Sequence, residues 1–363
     1  MKKLLILIPR MGGGGAERVV SIIANNLCQK YKIQITTLVS DESFYNLDSS
    51  IQFTSANYRI NRKNNISRLL SLGRNFWNSI LFVRRTIEQF EPDIVFSWLE
   101  EMDIVTYYAT FGLHGFIWIS SERNDPMKRN KALQHFLEWI YKKLDMLICQ
   151  SQTVSDYYKM IPVKKKKVIP NPVDFSNYPN KVAESKEKKI VGVGRLREQK
   201  NFKLLIRSFA QIANDYPNVT LTIFGEGPQR TELEKEIQNQ GLRKRVFLPG
   251  ASENVLMDIR DATIYVMSSD YEGFPNALVE AIAMGLPAIS TDFDTGIARE
   301  IITSDVGIVV PCGDQDALAK AMSTLLEHPD YRGQIRKRGS SAIARFETSR
   351  VIEMWDSMFE RLV

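Results

Sequence analysis

Two glutamates in the second half of the chain flank a short stretch that contains glycine and proline. Glu272 and Glu280 lie in SSDYEGFPNALVEAIAMGLP, residues 268–287, with seven residues between them. The pattern predicts a strand ending near Ser269 and a helix beginning near Asn276, which would cap it. Glu272 would lie on the rim of the turn and Glu280 in the first helical turn, near the helix dipole. Carboxylates so placed could bind the vicinal hydroxyls of a sugar; a purely helix-stabilising role for Glu280 is the alternative.

A second group of reactive side chains is cationic. In GVGRLREQKN, residues 192–201, Arg195 and Lys200 follow a predicted strand and precede a predicted helix. A bidentate guanidinium and a compact ammonium on a glycine-containing loop suit a diphosphate. No Asp or Glu cluster with metal-ligand spacing accompanies them, so the two cations could neutralise a diphosphate without a divalent ion. Surface charges that cap a helix are the alternative.

Two loops in the first half could also face a ligand. The stretch PRMGGGGAER places four glycines, residues 12–15, between the first predicted strand and helix. Such a loop lets a phosphate approach a helix N-terminus, although it fits neither GxGxxG nor the P-loop pattern, and a flexible turn is the alternative. In GFIWISSERNDP, Ser121, Glu122 and Arg123 end a predicted strand, where polar residues either face a site or cap a helix.

Short apolar runs typical of buried strands alternate with amphipathic helical stretches in both halves of the chain. LLILI, IQITTLV, DIVFSWL, GFIWIS and DMLICQ precede a polar, proline-containing stretch at 170–189, and KIVGVGRL, VTLTIFG, ATIYVMSS, PAIST and GIVV follow it. This alternation predicts an α/β protein with two Rossmann-like, doubly wound domains and parallel sheets. Ligands of such sheets bind at the carboxyl ends of the strands, so we expect the active site in a cleft between the domains.

The two predicted domains differ in charge. We expect an N-terminal domain over 1–175, a C-terminal domain over 186–345, and a last helix, 346–363, that packs back towards the N-terminal domain. Residues 1–180 contain 24 Lys and Arg against 16 Asp and Glu, whereas the remainder contains 24 against 26. The first half is therefore expected to meet an anionic partner. Three scattered cysteines without a CxxC pair indicate a cytoplasmic protein without a zinc site.

These motifs resemble those of a known enzyme family. GGGGAERVV, GVGRLREQKN, FGEGP and EGFPNALVEA occur in the order seen in family-4 glycosyltransferases, and the resemblance covers nearly the whole chain. It implies the GT-B fold and a retaining transfer from a nucleotide sugar, most often a uridine one. The catalytic residues implied are Arg195 and Lys200, which would stabilise the departing diphosphate, and Glu272, which would bind donor hydroxyls. Glu280 would bind the ribose.

The implied donor site comprises Gly14, Gly15, Arg195, Lys200, Glu272, Gly273, Phe274, Pro275, Asn276, Ala277 and Glu280. Glu122 and Arg123 are assigned to the acceptor side. Relatives often carry histidine at the position of Arg123, and arginine cannot act as a base at neutral pH, although it can hold a phosphate or a hydroxyl. SERNDP resembles bacterial enzymes that extend lipid-linked oligosaccharides. We therefore expect transfer of a hexose or N-acetylhexosamine from a UDP-sugar to a saccharide, such as an undecaprenyl-diphosphate-linked one, without a cofactor or divalent metal.

A basic amphipathic segment, 59–85, indicates where such an acceptor would be met. No acidic residue occurs between Ser49 and Ile87. The segment carries these cations: Arg59, Arg62, Lys63, Arg68, Arg74, Arg84 and Arg85. Apolar residues recur among them at helical spacing: Ile66, Leu69, Leu70, Phe76, Trp77, Ile80 and Leu81. Such a helix can lie in a membrane interface, which predicts peripheral attachment to the inner face of the cytoplasmic membrane; packing of the apolar stripe on the sheet is the alternative.

Two other functional classes are possible on this pattern. An NAD-type Rossmann oxidoreductase would need GxGxxG after the first strand and an acidic residue about 20 positions later, and it has no role for the two glutamates. A non-catalytic lipid- or nucleic-acid-binding module would explain the basic first half but not the glutamates. Signatures of known nucleic-acid-binding domains are absent from the sequence, so no nucleic-acid partner is expected.

Overall fold

The computed structural model describes residues 1–39, 42–58, 65–175, 178 and 188–363, with the backbone alone for 65–72. The described residues form two compact units. The first consists of Met1–Pro172 together with Thr348–Val363, and the second of Val173–Glu347.

The first unit is a seven-stranded parallel sheet with helices between its strands, in the order β3-β2-β1-β4-β5-β6-β7. Its elements are β1 (Lys2–Leu7), α1 (Gly15–Leu27), β2 (Tyr31–Thr37), β3 (Gln52–Ser55), α2 (Asn65–Phe90), β4 (Ile94–Trp98), α3 (Glu100–Ala109), β5 (Ile117–Ser121), α4 (Lys131–Tyr141), β6 (Met146–Cys149), α5 (Gln152–Tyr157), β7 (Lys166–Val168) and, from the end of the chain, α13 (Thr348–Leu362). The central strands are apolar on both faces because helices cover both sides of the sheet.

The second unit is a six-stranded parallel sheet in the order β10-β9-β8-β11-β12-β13. Its elements are β8 (Lys189–Val193), α6 (Phe202–Ile212), β9 (Thr220–Phe224), α7 (Arg230–Asn239), β10 (Val246–Gly250), α8 (Val255–Ile259), β11 (Ile264–Met267), α9 (Asn276–Ala283), β12 (Ala288–Asp292), α10 (Ile297–Ile301), β13 (Gly307–Pro311), α11 (Gln315–Glu327) and α12 (Pro329–Ala342). The predicted pair of doubly wound α/β units with parallel sheets is confirmed.

Three strands, β3, β7 and β10, were not predicted from the sequence. All three lie at the edge of their sheet. β3 alternates between exposed and partly buried positions, β7 is partly buried throughout, and β10 is buried only at its two ends. None of the three is therefore buried along its whole length, as a central strand is.

The last helix belongs to the first unit. On α13, the ring of Trp355 lies 5.2 Å from that of Phe96 and 6.2 Å from that of Trp98, centroid to centroid. At the surface, Asp356 accepts hydrogen bonds from Lys30 Nζ at 2.6 Å and Tyr31 Oη at 3.0 Å. Aromatic packing and these polar contacts together hold the end of the chain on the first sheet.

A carboxyl group lies in the core of the first unit. Asp103, on α3, is completely buried and accepts hydrogen bonds from three hydroxyls: Ser97 at 2.6 Å, Ser120 at 2.6 Å and Tyr141 at 3.0 Å. These donors lie on β4, β5 and α4, so a single side chain joins four elements. Burial raises the pKa of Asp103 to about 7, although the hydroxyl donors act in the opposite direction.

This burial predicts a pH dependence of stability. The unfolded carboxyl has a pKa of about 4, so between about pH 4 and 7 the folded state retains a proton that the unfolded state releases. We therefore expect the contribution of Asp103 to the free energy of unfolding to fall as pH rises through that window. Asp103→Asn should remove this part of the slope, because an amide does not titrate.

Tryptophan fluorescence during urea titration reports the unfolding of the first unit, because all five tryptophans lie in it. Glu353→Gln, which removes an exposed carboxylate from α13, should keep the wild-type pH dependence. An unchanged slope in Asp103→Asn would show that the buried carboxyl is ionised throughout.

Candidate functional site

Two loops of the second unit lie side by side at the carboxyl edge of its sheet. One follows β8 and includes residues 194–201; the other follows β11 and includes residues 268–275. β8 and β11 are hydrogen-bonded neighbours, with Ile190 opposite Ile264, and the strand order reverses between them. In doubly wound sheets this reversal point is where ligands bind. The fold thus brings the two motif-bearing loops together.

The two loops are fastened to each other by hydrogen bonds that we call the loop clasp. The amide of Asp270 donates to the carbonyl of Gln199 at 2.9 Å. The hydroxyl of Ser268 donates to the carbonyl of Lys200 at 2.9 Å, and the amide side chain of Asn201 donates to Asp270 Oδ1 at 2.8 Å. The clasp fixes the backbone from which Lys200 extends, so this cation is held in place by both loops.

Glu272 is the centre of this arrangement. Its Oε1 accepts from Lys200 Nζ at 2.5 Å and from Ser269 Oγ at 2.6 Å, and Gln199 Nε2 lies 3.4 Å from Oε2. The hydroxyl of Thr295 donates to the Glu272 carbonyl at 2.9 Å. The residue is only 6% exposed, so the expectation that it lies on the rim of the turn is wrong. Ser269, Gln199 and Thr295 were not recognised from the sequence, since no local pattern marks a hydroxyl or amide that orients a distant carboxylate.

The helix that carries the second glutamate also differs from expectation. α9 starts at Asn276 after Pro275 as the N-cap residue, so Asn276 is the first helical residue and not the cap. Glu280 therefore lies in the second turn, where the helix dipole has weakened, and it is buried. Burial, together with the charges of Glu272 and Glu280, raises the pKa of Tyr265, on β11, well above its usual value.

Arg195 is the accessible cation of the site. Its side chain is exposed and makes no hydrogen bond or ion pair within the part of the chain that the structure describes.

Two glycines of FGEGP pack against the backbone of the Arg195 loop. A Cβ at Gly225, whose φ is +145°, would be 1.9 Å from the carbonyl oxygen of Gly194, and one at Gly227 would be 2.4 Å from that of Leu196. No other residue type fits these contacts, so the glycines position the Arg195 loop.

The remaining predicted donor-site residues of the second unit surround the turn after Glu272. Gly273 and Ala277 are half-buried, and Pro275 is buried. Phe274 is buried, with its ring 5.5 Å from that of Phe346 in an edge-to-face contact. The turn is therefore anchored to the unit's core by an aromatic pair.

In the first unit, Gly14 and Gly15 form the start of α1. Gly14 is the N-cap residue and Gly15 the first helical residue. The carboxylate of Glu17 folds over this end, so a Cβ at position 14 would lie 2.2 Å from Glu17 Oε2. An anion that approached this helix N-terminus would meet the carboxylate of Glu17. Contact of the two glycines with a diphosphate stays a prediction.

Glu122 is buried in the first unit, and its assignment to the acceptor side stays a prediction. Arg129 forms a bidentate pair with it, at 2.9 Å from Nη2 to Oε1 and 3.0 Å from Nη1 to Oε2, and the hydroxyl of Tyr158 donates to Oε2. The side chain of Glu122 is 2% exposed. A carboxylate that is paired this completely has a structural role, because its lone pairs are already occupied.

Arg123 is also buried, and its assignment to the acceptor side likewise stays a prediction. Its guanidinium lies over the ring of Trp98 at 4.4 Å and near that of Trp355 at 5.7 Å, and Nη1 donates to Asn171 Oδ1 at 2.6 Å. Burial lowers its pKa to about 9. The strand end, the loop around Asn171 and α13 are thus joined through one cation.

The basic segment is described only in part. Arg59, Arg62 and Lys63 lie outside the described residues, and 65–72 are described as helical backbone only. Ile80 is buried, so that part of the predicted membrane-facing stripe packs into the core, whereas Trp77 is 64% exposed.

No described helix is long and apolar enough to span a bilayer. Within the described ranges, no cluster of three His, Cys, Asp or Glu residues could hold a metal ion.

Comparison with known protein families finds a matching family model for each of the two units. A family model described as "Glycosyl transferases group 1" matches residues 174–342, and one described as "Glycosyltransferase Family 4" matches residues 13–177. The two matches together span residues 13–342. The chain is a glycosyltransferase. This result confirms the resemblance of the motifs to those of glycosyltransferases and argues against an oxidoreductase or a non-catalytic binding module.

Two curated relatives of this glycosyltransferase come from Campylobacter jejuni subsp. jejuni. The alpha-1,4-N-acetyl-D-galactosaminyltransferase whose name specifies a GalNAc-containing diNAcBac-PP-undecaprenol is 27% identical over 358 residues, covering 98% of this chain and 97% of the relative. An N-acetylgalactosamine-N,N'-diacetylbacillosaminyl-diphospho-undecaprenol 4-alpha-N-acetylgalactosaminyltransferase is 27% identical over 366 residues, covering 97% of each chain.

Solved structures confirm the GT-B fold. Sucrose-phosphate synthase from Thermosynechococcus elongatus superposes with a TM-score of 0.84 at 18% identity, covering 100% of this glycosyltransferase and 99% of that chain. HepE from Anabaena, solved in complex with UDP and glucose, gives a TM-score of 0.80 at 18% identity, covering 99% and 100%.

The glycine contact behind the Arg195 loop can be tested by Gly225→Ala. The added Cβ would overlap the Gly194 carbonyl, so we expect a loss of about 2–4 kcal/mol in the free energy of unfolding, measured by urea titration with circular dichroism. Gly333→Ala is the matched control: this glycine lies within α12 with open space around it, so alanine should be neutral or stabilising. Wild-type stability of Gly225→Ala would mean that the loop of Gly225 and the Arg195 loop can move apart at no cost in free energy.

The burial of Glu272 revises what its removal should do. Glu272→Ala leaves Lys200 and Ser269 without their common acceptor, so we expect a destabilisation of about 1–3 kcal/mol in addition to loss of transfer activity. Glu232→Gln is the control, since Lys203 and Glu232 form an exposed pair at 3.0 Å, and it should change the unfolding free energy by less than about 0.5 kcal/mol. If Glu272→Ala unfolds at the wild-type urea concentration, the carboxylate contributes nothing to the clasped loops.

Proposed function

We propose that this glycosyltransferase is a retaining enzyme that moves a hexose or N-acetylhexosamine from a UDP-sugar to a lipid-diphosphate-linked oligosaccharide in surface glycan biosynthesis. The observation that carries the proposal is the juxtaposition of Arg195, Lys200 and Glu272 at the reversal point of the second sheet. Two cations next to an oriented carboxylate match a ligand that is a diphosphate at one end and a polyol at the other.

The cations would act on the leaving group. Cleavage of the bond between the anomeric carbon and the diphosphate leaves negative charge on the diphosphate oxygens. Arg195 is exposed and can bind two of these oxygens, while Lys200 is already held near them by the clasp. Since these fixed cations stabilise the developing charge, we propose that transfer requires neither a divalent metal nor a cofactor.

The carboxylates would orient the donor. Oε1 of Glu272 already accepts two short hydrogen bonds, whereas its Oε2 has only the 3.4 Å contact to Gln199 and is the oxygen best able to accept sugar hydroxyls. Glu280 would accept from the ribose. The acceptor hydroxyl would then bond to the anomeric carbon on the face that the diphosphate leaves, and the diphosphate oxygen would take the hydroxyl proton, which retains the anomeric configuration.

The acceptor proposal is supported by the relatives and by charge. Both Campylobacter relatives are named for undecaprenol-linked saccharides. The excess of cations in residues 1–180 favours an anionic surface, and the basic segment 59–85 lies within this part of the chain. We place the enzyme as a peripheral protein on the inner face of the cytoplasmic membrane.

A thermal-shift titration with nucleotides and UDP-sugars, in the presence of a metal chelator, tests the donor assignment. UDP should raise the melting temperature, one UDP-sugar should raise it further, and Arg195→Ala should lose most of the shift, because a ligand stabilises the state that binds it. Arg197→Ala removes another exposed arginine of the same loop and should retain the response. A response to NAD(H) alone, or an equal UDP shift in Arg195→Ala, would contradict the proposal.

A further inference from the structure

Six large apolar side chains of the first unit are exposed close together on α2, α3 and α4 and in the turn after α3. We call this group the aromatic belt; it consists of Phe76, Trp77, Leu81, Tyr108, Phe111 and Trp139. Phe111 is 77% exposed, Trp77 64% and Trp139 44%. Exposed apolar side chains that occur singly are ordinary, but a contiguous group of aromatics marks an interaction surface.

Ring contacts make the belt continuous across the three helices. Phe76 of α2 lies 6.2 Å from Trp77 and 6.0 Å from Tyr108 of α3, centroid to centroid. Tyr107, next to Tyr108, lies 4.9 Å from Trp139 of α4. Residues that are more than 60 positions apart in the sequence thus form one surface.

A hydrogen-bond pair fixes the end of the belt. The Nη1 atom of Arg84, on α2, donates to the carbonyls of Ala109 at 3.2 Å and Phe111 at 2.8 Å. These carbonyls lie at the C-terminal end of α3, where a cation is favourable. The most exposed ring of the belt is therefore presented by an anchored turn.

On α2, cations flank the belt along one helix face. Arg74, Trp77, Leu81 and Arg85 follow each other at intervals of three or four residues, and all four are exposed. The long side chains of the arginines can reach past the apolar residues to anionic groups.

A similar arrangement occurs on α4. Lys131, His135 and Trp139 of this helix and its C-cap residue Lys142 are spaced by three or four residues and are all exposed. Two helices thus present a tryptophan between cations on the same surface of the unit.

We propose that the aromatic belt and its flanking cations form a docking surface for an anionic lipid bilayer. Tryptophan and tyrosine favour the boundary between headgroups and acyl chains, and basic side chains beside them bind anionic headgroups. This surface goes beyond the basic segment, because α3 and α4 contribute to it. The inference that this surface brings the enzyme to the membrane that carries its acceptor rests on the proposed lipid-linked acceptor.

The experiment uses the full chain and vesicles of phosphatidylglycerol and phosphatidylcholine. Binding is measured by sedimentation, and insertion by quenching of tryptophan fluorescence with lipids that carry bromine on their acyl chains. The tryptophans outside the belt, Trp98, Trp118 and Trp355, are buried and act as internal controls. We expect wild type to bind and to be quenched, and binding to weaken with salt.

Two variants and a control localise the contact. The double variant Trp77→Ser with Trp139→Ser should bind vesicles at least roughly tenfold more weakly. The double variant Arg74→Gln with Arg85→Gln should lose most of the salt-sensitive part of vesicle binding. Phe247→Ser removes an exposed aromatic ring from the second unit and should bind like wild type. An unchanged thermal shift with UDP shows that each variant is folded and separates this test from that of the donor site.

Three results would overturn the proposal: no sedimentation with anionic vesicles, binding without tryptophan quenching, or equal binding by the tryptophan variant. Concentration-dependent self-association that disappears in this variant, without vesicle binding, would assign the belt to a contact between two copies instead.

Discussion

The ion pair between Lys200 and Glu272 is the interaction on which the candidate site depends. Two charges that are largely withdrawn from water are stable only when each satisfies the other and the remaining lone pairs find donors. Ser269 supplies one such donor, and the clasp between the two loops holds the backbone on either side. Because the partners come from different loops, the site exists only when both strands are in register. Arg195, on the same loop as Lys200, stays exposed.

Close backbone approach is the second constraint on the site. Gly225 and Gly227 lie so near the carbonyls of the Arg195 loop that side chains at these positions would push it away. The loop's own amides are also used, since Gly194 N donates to Phe224 O at 3.0 Å. Gly225 and Gly227 therefore maintain the geometry of a neighbouring loop. The stability of this unit and the position of the Arg195 loop are consequently coupled.

The first unit buries some of its polar groups and exposes others beside aromatic side chains. In its interior, hydroxyl donors surround Asp103, and Arg123 lies over the ring of Trp98 and near that of Trp355, so each group is accommodated by neutral or aromatic partners. On its surface, tryptophans and cations are exposed together on α2 and α4. The cost of dehydrating polar groups explains the first arrangement. The second would be unfavourable in water alone and makes sense for a surface that meets lipid.

The sequence by itself determined the two parallel α/β units and the positions of the motif loops, because apolar periodicity and glycine placement act over short distances. It did not reveal the edge strands, whose patterns are too weak, or the burial of Glu272, Glu122 and Arg123. It also linked the exposed tryptophan of α2 to a membrane without showing that Trp139 shares its surface. These features arise from contacts between residues far apart in the chain. Only the packing of elements decides which charges become buried and paired and which apolar side chains stay in water.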